Sequence, residues 1–298
     1  MSVAATVILP THDHGPTLRF ALASALAQTV ADIEVFVIGD GVPDVTRKIV
    51  GEFSRTDERV RFFDHPKGQR HGELYRHEAL GEARGEIVCY LCDDDLWLPR
   101  HVEDIREALG GADFVGTHTV HVTPEGELLS WPSDLSMPWF REQMLSGAAN
   151  FVPLSCAGHT LEMYRRLPVG WSAAPTSTFT DLFMWQKILR LPRLRARSIN
   201  RPTLLHFPSS VRRGRSPEER ATELEPWAER AADPAWRQQL SADLLEGALG
   251  RAAAAQAAAG AMRATRTWQL RNWLLGVPAF GTAAKALARR GAGRETEP

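Results

Sequence analysis

Three cysteines in 298 residues are too few and too scattered for a disulfide framework. Cys89 and Cys92 form a single C-x-x-C with no second pair, inside what reads as a buried strand. They are therefore read as ordinary core thiols rather than a zinc or redox site, in a reducing cytoplasmic setting. The chain also lacks an excess of either charge. Its 35 Lys and Arg against 36 Asp and Glu give a formal net charge of −1, which excludes a global field that recruits nucleic acid or an anionic membrane. Any anion must be held by a local cluster. No window approaches the ~18 apolar residues of a membrane-crossing helix. The opening apolar run has no basic flank and stops at Pro10, so it reads as a strand rather than a leader. No internal repeat is present. What remains, 44% hydrophobic and 24% charged, is an ordinary globular composition with room for one large α/β domain and an appendage.

The first half alternates two periodicities. Short β-rich runs at Thr6–Leu9, Ile33–Ile38, Val60–Phe63, Glu86–Leu91 and Asp113–Thr117 are separated by stretches with helical spacing. Pro16 opens the first helix, which carries Leu18, Ala21, Leu22 and Ala25 on one face. Strands alternating with helices predict βαβ units and a mostly parallel sheet. In such sheets ligands bind beyond the carboxyl ends of the strands, so the residues just after each strand are the candidates. From Val120 the pattern changes to a hairpin (Val120–Thr123 and Leu128–Ser130), then to irregular sequence over 131–180. A helix at Asp181–Leu191 and a last strand at Thr203–Phe207 follow. Beyond Pro217 the chain reads as helical. It includes a basic-aromatic stretch with Trp268, Trp273, Leu274, Leu275 and Phe280 among Arg263, Arg266, Arg271 and Lys285. That stretch has two readings: helices packing on the domain or on a partner, or peripheral contact with a membrane.

The chemistry concentrates in Cys92-Asp93-Asp94-Asp95-Leu96-Trp97-Leu98-Pro99, directly after the fourth strand. Three consecutive carboxylates repel one another, and a fold tolerates them best when a cation compensates them. Oxygen ligands suit Mg²⁺ or Mn²⁺ rather than zinc, and Mg²⁺-type sites combine carboxylates with substrate phosphates. The alternative is a solvated acidic turn that caps the helix after Pro99. The other strand ends favour the site. Strand one ends in Pro10-Thr11-His12-Asp13 and strand two in Gly39-Asp40-Gly41. Strand three is followed by the basic segment Lys67-Gly68-Gln69-Arg70-His71-Gly72. One rim thus offers acidic and hydroxyl groups for a nucleoside, carboxylates for a metal, and cations for phosphate.

In these residues the sequence resembles family-2 glycosyltransferases of the GT-A fold. The likeness lies in Val-Ile-Leu-Pro-Thr-His-Asp, Ile-Glu-Val-Phe-Val-Ile-Gly-Asp-Gly and Cys-Tyr-Leu-Cys-Asp-Asp-Asp-Leu-Trp-Leu-Pro. It is strong over about residues 3–110 and weak over 111–207. It implies a Rossmann-like, mostly parallel central sheet flanked by helices in residues 1–210, divided into a nucleotide-binding half (1–117) and an acceptor-binding half (118–210). A helical C-terminal extension with a frayed tail would occupy 211–298. The implied activity is metal-dependent transfer of a sugar from a nucleoside-diphosphate sugar, UDP-linked by first choice, to a hydroxyl of a carbohydrate or glycolipid acceptor, with inversion. The setting would be cell-surface polysaccharide or glycoconjugate synthesis in the cytoplasm or at the inner face of the membrane. Self-association through the C-terminal helices is a further expectation.

Carried over residue by residue, the resemblance places Pro10, Thr11, Asp13, Asp40, Lys67, Arg70, Arg76 and Asp93 at the nucleotide sugar. Asp94, with Asp93 and Asp95, would hold Mn²⁺ or Mg²⁺, and His206 would complete the metal shell. Two positions depart from the family pattern: Gly39 replaces the first of two acidic residues after strand two, and Cys92 replaces the first aspartate of the metal motif. Asp181, at the start of a helix after the irregular region, is the expected general base. A first-turn acid after a Thr cap is the plainer account of it. Arg212–Arg215 reads either as a lid over the diphosphate or as a solvated loop, and His159 as a structural histidine or an acceptor contact. Two other functions share parts of this inventory. A sugar nucleotidyltransferase would need a glycine-rich basic loop after strand one, which Pro10–Pro16 lacks. A non-catalytic sugar-nucleotide-binding protein would account for Gly39 and Cys92.

Overall fold

Strands β1 (Ala5–Thr11), β2 (Ile33–Asp40) and β4 (Ile87–Tyr90) are near-continuous apolar runs, and they become strands covered on both faces. The computed structural model describes residues 3–131, 133–265, 267–270 and 273. With β3 (Val60–His65) these strands form a parallel block in the order β3-β2-β1-β4. Helices α1 (Gly15–Leu26, with Pro16 in its first turn), α2 (Asp44–Thr56) and α3 (Glu73–Gly81) follow β1, β2 and β3 in turn. Thr11 lies beside Gly39 in the β1–β2 register, so the carboxyl ends of these strands share one edge.

The sheet continues through β8 (Ala157–Thr160), β6 (Phe114–Val122), β9 (Ala196–His206) and the two-residue β5 (Leu96–Trp97), with β7 (Leu128–Ser130) on the side of β6. Strand β8 runs antiparallel to both β4 and β6, whereas β6 and β9 are parallel. The sheet is therefore mixed beyond the expected parallel block. Strand β5 matters most for function. It pairs Leu96 with Leu205 and Trp97 with Leu204, which pins the acidic triplet between the end of β4 and the end of β9. Helix α4 (His101–Leu109) follows, α5 (Pro138–Ser146) and α6 (Leu161–Arg165) punctuate the region read as irregular, and α7 (Thr180–Leu189) is the helix expected at Asp181–Leu191.

The expected boundary at residue 210 is not where the chain divides. A compact unit runs to Leu244, because a second core of Leu96, Leu98, Val120, Val122, Leu205 and Phe207 has no cover of its own. It is closed by Leu224, Trp227 and Ala231 of α8 (Pro217–Ala232) and by Leu240 and Leu244 of α9 (Pro234–Ala264). A capping box starts α8: the Ser216 side chain accepts from the Glu219 amide, and the Glu219 carboxylate accepts from the Ser216 amide. A second unit begins at Leu245 and continues as helix to Ala264, with Leu249 and Met262 exposed. Arg266, Arg271, Leu274, Leu275, Phe280 and Lys285 of the basic-aromatic stretch lie outside the described residues. Among the described residues no helix is long and apolar enough to cross a membrane.

If α8 is part of the domain, Trp227→Ala should destabilise it by about 3–5 kcal/mol in urea unfolding, the usual cost of removing a buried large aromatic. A loss below about 1 kcal/mol would show that α8 is dispensable to the fold.

Candidate active site

A cavity of about 910 Å³ opens at the carboxyl edge of β1, β2 and β4, and the start of α7 lines it too. From the strand ends it is lined by Pro10, Thr11, His12, Asp13, Asp40, Cys92, Asp93 and Asp94. Lys67, Arg70, His71 and Arg76 supply basic groups, and Thr176 to Asp181 adjoin them, with Arg70 Nη2 donating to the Thr178 carbonyl at 3.3 Å. All eight residues expected at the nucleotide sugar therefore share one cavity with Asp94 and Asp181.

The acidic triplet is almost fully buried, with Asp93 and Asp94 each 7% exposed and Asp95 0%. The three carboxylates part company at once. Asp93 accepts from Thr11 Oγ1 at 2.7 Å and meets His14 Nδ1 at 3.1 Å. Asp94 accepts from Ser209 Oγ at 2.8 Å and lies 3.2 Å from an Arg220 Nη2 of α8. Asp95 turns beneath the rim. His206 Nδ1 sits 2.9 and 3.0 Å from its two oxygens, the Phe207 amide donates at 2.9 Å, and the Ser155 hydroxyl takes the remaining position. Asp95 and His206, expected as metal ligands, are thus bound to each other, and neither lines the cavity. The reason is β5: pairing it with β9 carries His206 onto Asp95.

Charge states follow from these contacts. Burial would raise Asp95, but the His206 charge and three hydrogen bonds hold it below the usual carboxylate range. Burial lowers His206 while the Asp95 carboxylate raises it, and the raising effect wins. Asp94 is pushed up to about 6, first by burial and then by Asp95 and Asp93 beside it. His14 is pushed up to about 9, chiefly by its hydrogen bond to Asp93, with burial and the Arg220 charge opposing. Arg220 Nη1 also donates to His14 Nε2 at 2.7 Å, which only a neutral ring can accept. Asp93 thus favours a charged ring, whereas the Arg220 contact requires a neutral one with its proton on Nδ1, and His14 is held between the two.

His14, Asp93 and Asp94 bring one nitrogen and two oxygen ligand atoms within 4.8 Å of one another. The raised Asp94 carboxyl marks negative charge that is incompletely offset, and this mixed set suits Mg²⁺ or Mn²⁺. The residues fit such an ion.

The basic wall is built from loop geometry. Lys67 Nζ donates to Asp40 Oδ2 at 2.6 Å and to the Gly68 and Arg70 carbonyls, while the Gly68 amide donates to Asp40 Oδ1 at 2.6 Å. Gly72 starts α3 at φ +64°, and a Cβ there would lie 2.9 Å from Asp40 Cγ, so the loop closes on Asp40 only with glycine. Arg76 is buried over the Trp171 ring at 4.8 Å, and the Nε atoms of Arg70 and Arg76 are buried without a partner. Buried donors left unpaired beside a cavity suit an anion. Asp181, in the first turn of α7, accepts from Asn150 Nδ2 at 2.9 Å and from the Leu182 amide at 2.8 Å, and burial raises its carboxyl. Thr180 does not cap that helix; its hydroxyl donates to Glu73 at 3.1 Å.

A family model described as glycosyl transferase family 2 matches residues 6–166. The chain belongs to that family. Among curated relatives, the succinoglycan biosynthesis protein ExoW of Rhizobium meliloti (strain 1021) is 35% identical over 108 residues, 35% of this chain and 33% of that protein. The Escherichia coli UDP-Glc:alpha-D-GlcNAc-diphosphoundecaprenol beta-1,3-glucosyltransferase WfgD is 32% identical over 100 residues, 33% of this chain and 38% of that protein. The chain thus spans about a third of the length of these relatives. In fold it is similar to the crystal structure of S. aureus TarS 1-349 in complex with UDP-GlcNAc, with a TM-score of 0.56 at 16% identity over 81% of this chain and 71% of that one.

Three residues that contact Asp93 or Asp94 were missed from sequence. His14 stands one residue beyond the strand-end motif. Ser209 follows the last strand. Arg220 lies in α8, where its only signal is register: it shares one buried helix face with Leu224, Trp227 and Ala231. The Arg212–Arg215 segment is exposed at Arg213 and Arg215, as a solvated loop would be, but Arg212 turns inward. Arg212 is 2% exposed, pairs with Glu223 at 2.6 Å and donates to the Val122 carbonyl, and Arg215 joins the same carboxylate. His159 is interior, between Tyr90 Oη and the Thr160 carbonyl, and burial pushes it down to about 4. The three cysteines are free, and Cys89 and Cys156 are buried.

The Asp95–His206 pair sets a stability prediction. His206→Ala leaves a buried carboxylate unpaired and should cost about 3–5 kcal/mol. A histidine raised in the folded state contributes stability below its unfolded pKa and loses it as pH rises through the folded one. Urea unfolding of wild type should therefore weaken as pH climbs above about 6.5, the ordinary histidine value, and the variant should lack that component. Equal pH dependence in both proteins would show that the pair carries no charge.

Proposed function

We propose that this chain is a glycosyltransferase that moves a sugar from a nucleoside-diphosphate sugar to a hydroxyl of a carbohydrate or glycolipid acceptor. One observation carries the reading. A single cavity joins hydroxyl and carboxylate groups for a nucleoside, cations for a diphosphate, and a separate, half-buried carboxylate at the start of α7. On this reading Thr11, Asp13, Asp40 and Asp93 face the nucleoside, and Lys67, Arg70 and Arg76 face the phosphates. Asp93 and Asp94 would hold Mn²⁺ or Mg²⁺, which supplies charge to offset the leaving diphosphate.

The residues divide the work across the cavity. Arg70 and Arg76 offer donors fixed in place by their surroundings, so stabilising the departing phosphates needs little reorganisation. Asp181 accepts the proton of the acceptor hydroxyl. Its raised pKa brings it closer to neutrality than an ordinary carboxylate, and the Asn150 and Leu182 hydrogen bonds hold it in orientation. A single carboxylate base apart from the donor's metal carboxylates suits a one-step displacement, and inversion at the anomeric carbon is part of this reading. Phe179, 73% exposed beside Asp181, offers a flat apolar face to an acceptor ring. Two curated relatives are named for transfer to diphosphoundecaprenol-linked sugars, which supports a lipid-linked acceptor here and gives the basic-aromatic stretch beyond Arg263 a peripheral membrane role.

The direct assay is release of nucleoside diphosphate from UDP-, GDP- or dTDP-sugars in the presence of glycan acceptors; pyrophosphate formed from NTP and a sugar phosphate would contradict the reading. Asp181→Asn should leave donor binding intact and cut kcat by roughly 10²–10⁴. Because the base works deprotonated, wild-type kcat should fall as pH drops through a pKa above the normal carboxylate range, and the variant should lose that limb. Near-wild-type turnover in Asp181→Asn would remove it from the mechanism.

A further inference from the structure

Arg220 is the unexpected member of the site. It comes from α8, and its side chain is 6% exposed. Its guanidinium reaches both carboxylates that face the cavity. Through Nη1 it donates to His14 Nε2 at 2.7 Å, and His14 Nδ1 in turn meets Asp93. Through Nη2 it donates to Ser209 Oγ at 2.7 Å, which passes a hydrogen bond to Asp94 Oδ2, while Nη2 itself stands 3.2 Å from that oxygen. Its Nε is buried with no partner. A buried arginine with a donor unspent, wired to two carboxylates by two short relays, is a countercharge built into the protein.

We infer that Arg220 is the resident counter-cation of Asp93 and Asp94 and competes with a divalent cation for them, so that it sets the cation affinity of the donor site. The inference rests on the reading of this cavity as a donor site. The competition is geometric as well as electrostatic. Ser209 and Arg220 crowd Asp94 Oδ2, Thr11 and His14 each take one position on an Asp93 oxygen, and both His14 nitrogens are engaged, the second by Arg220. A cation that takes His14 as a ligand must displace one of its contacts, and at all three residues it enters against a fixed positive charge. Once freed from Asp94, the guanidinium stands beside the site as a donor for a second anion. Arg220 is on this account a positioning residue, and α8 is the element that holds it.

The experiment uses MnCl₂ alone, without nucleotide, on the whole chain, and reads both the Mn²⁺ dissociation constant by calorimetry and the Mn²⁺-induced shift in Tm. Arg220→Met keeps the bulk and removes the charge. It should lower Tm in the absence of cation, bind Mn²⁺ about tenfold more tightly than wild type, and be restabilised by Mn²⁺ to a greater extent, since the ion takes over the countercharge. Arg220→Lys, which keeps a charge in place, should stay within about threefold of wild type. If Arg220→Met is folded only in the presence of Mn²⁺, the inference stands in its strongest form. Unchanged or weaker Mn²⁺ affinity in a folded Arg220→Met overturns it, as does a variant that Mn²⁺ fails to restabilise, or Mn²⁺ binding by neither protein. The donor-site reading fails separately, if wild type with Mn²⁺ binds no UDP, GDP or dTDP.

Discussion

Three carboxylates in a row, buried at the end of a strand, set the terms for the rest of this structure. Like charges that close together in a medium of low polarity repel strongly, and each also loses its hydration. The fold answers by sending each carboxylate to a different part of the chain. Asp95 goes down to His206 on β9, Asp93 to His14 ahead of α1, and Asp94 to Ser209 and Arg220 on and before α8. The repulsion that would loosen a turn instead ties three distant segments to the edge of β4. Removing any one basic partner leaves a buried charge exposed to its neighbours.

That solution also divides the triplet by role. Asp95 is spent on architecture, with both oxygens saturated by protein groups. Asp93 and Asp94 remain at the cavity with contacts a ligand can replace. Around them the sheet edge collects hydroxyl and carboxylate groups from β1 and β2, cations from the loop closed on Asp40, and Asp181 from α7. Each comes from a strand or helix terminus, where the parallel register aligns the ends and the packed sheet behind keeps them fixed.

Much of this was legible before any coordinates. The long apolar runs of β1, β2 and β4 could be little else than buried strands, and the residues just past them line the cavity as the parallel-sheet rule requires. The rest failed for identifiable reasons. Strand β8, Ala-Gly-His-Thr, is four residues long with a single β-branched residue, and tertiary pairing makes it a strand. Strand β5 is two residues long, yet it decides that His206 meets Asp95 rather than the cavity. The boundary at 210 was drawn where composition turns helical, but composition does not reveal that Leu96, Leu98 and Phe207 still needed cover. Arg220 sits in Glu-Glu-Arg, which reads as a solvated helix face until its neighbours show which face is turned inward. The two readings of the triplet, a cation site or a solvated acidic turn, overlooked that distant basic residues supply part of the compensation.

The most direct test is a crystal structure of the chain grown with MnCl₂ and UDP, repeated with GDP, and read at the manganese anomalous edge. The account predicts nucleotide between Thr11 and the Lys67–Arg76 wall, an anomalous peak on Asp94 with Asp93 adjoining, and Asp95 still on His206. An empty cavity with the Asp94–Arg220 contact intact, or nucleotide bound elsewhere on the molecule, would contradict it.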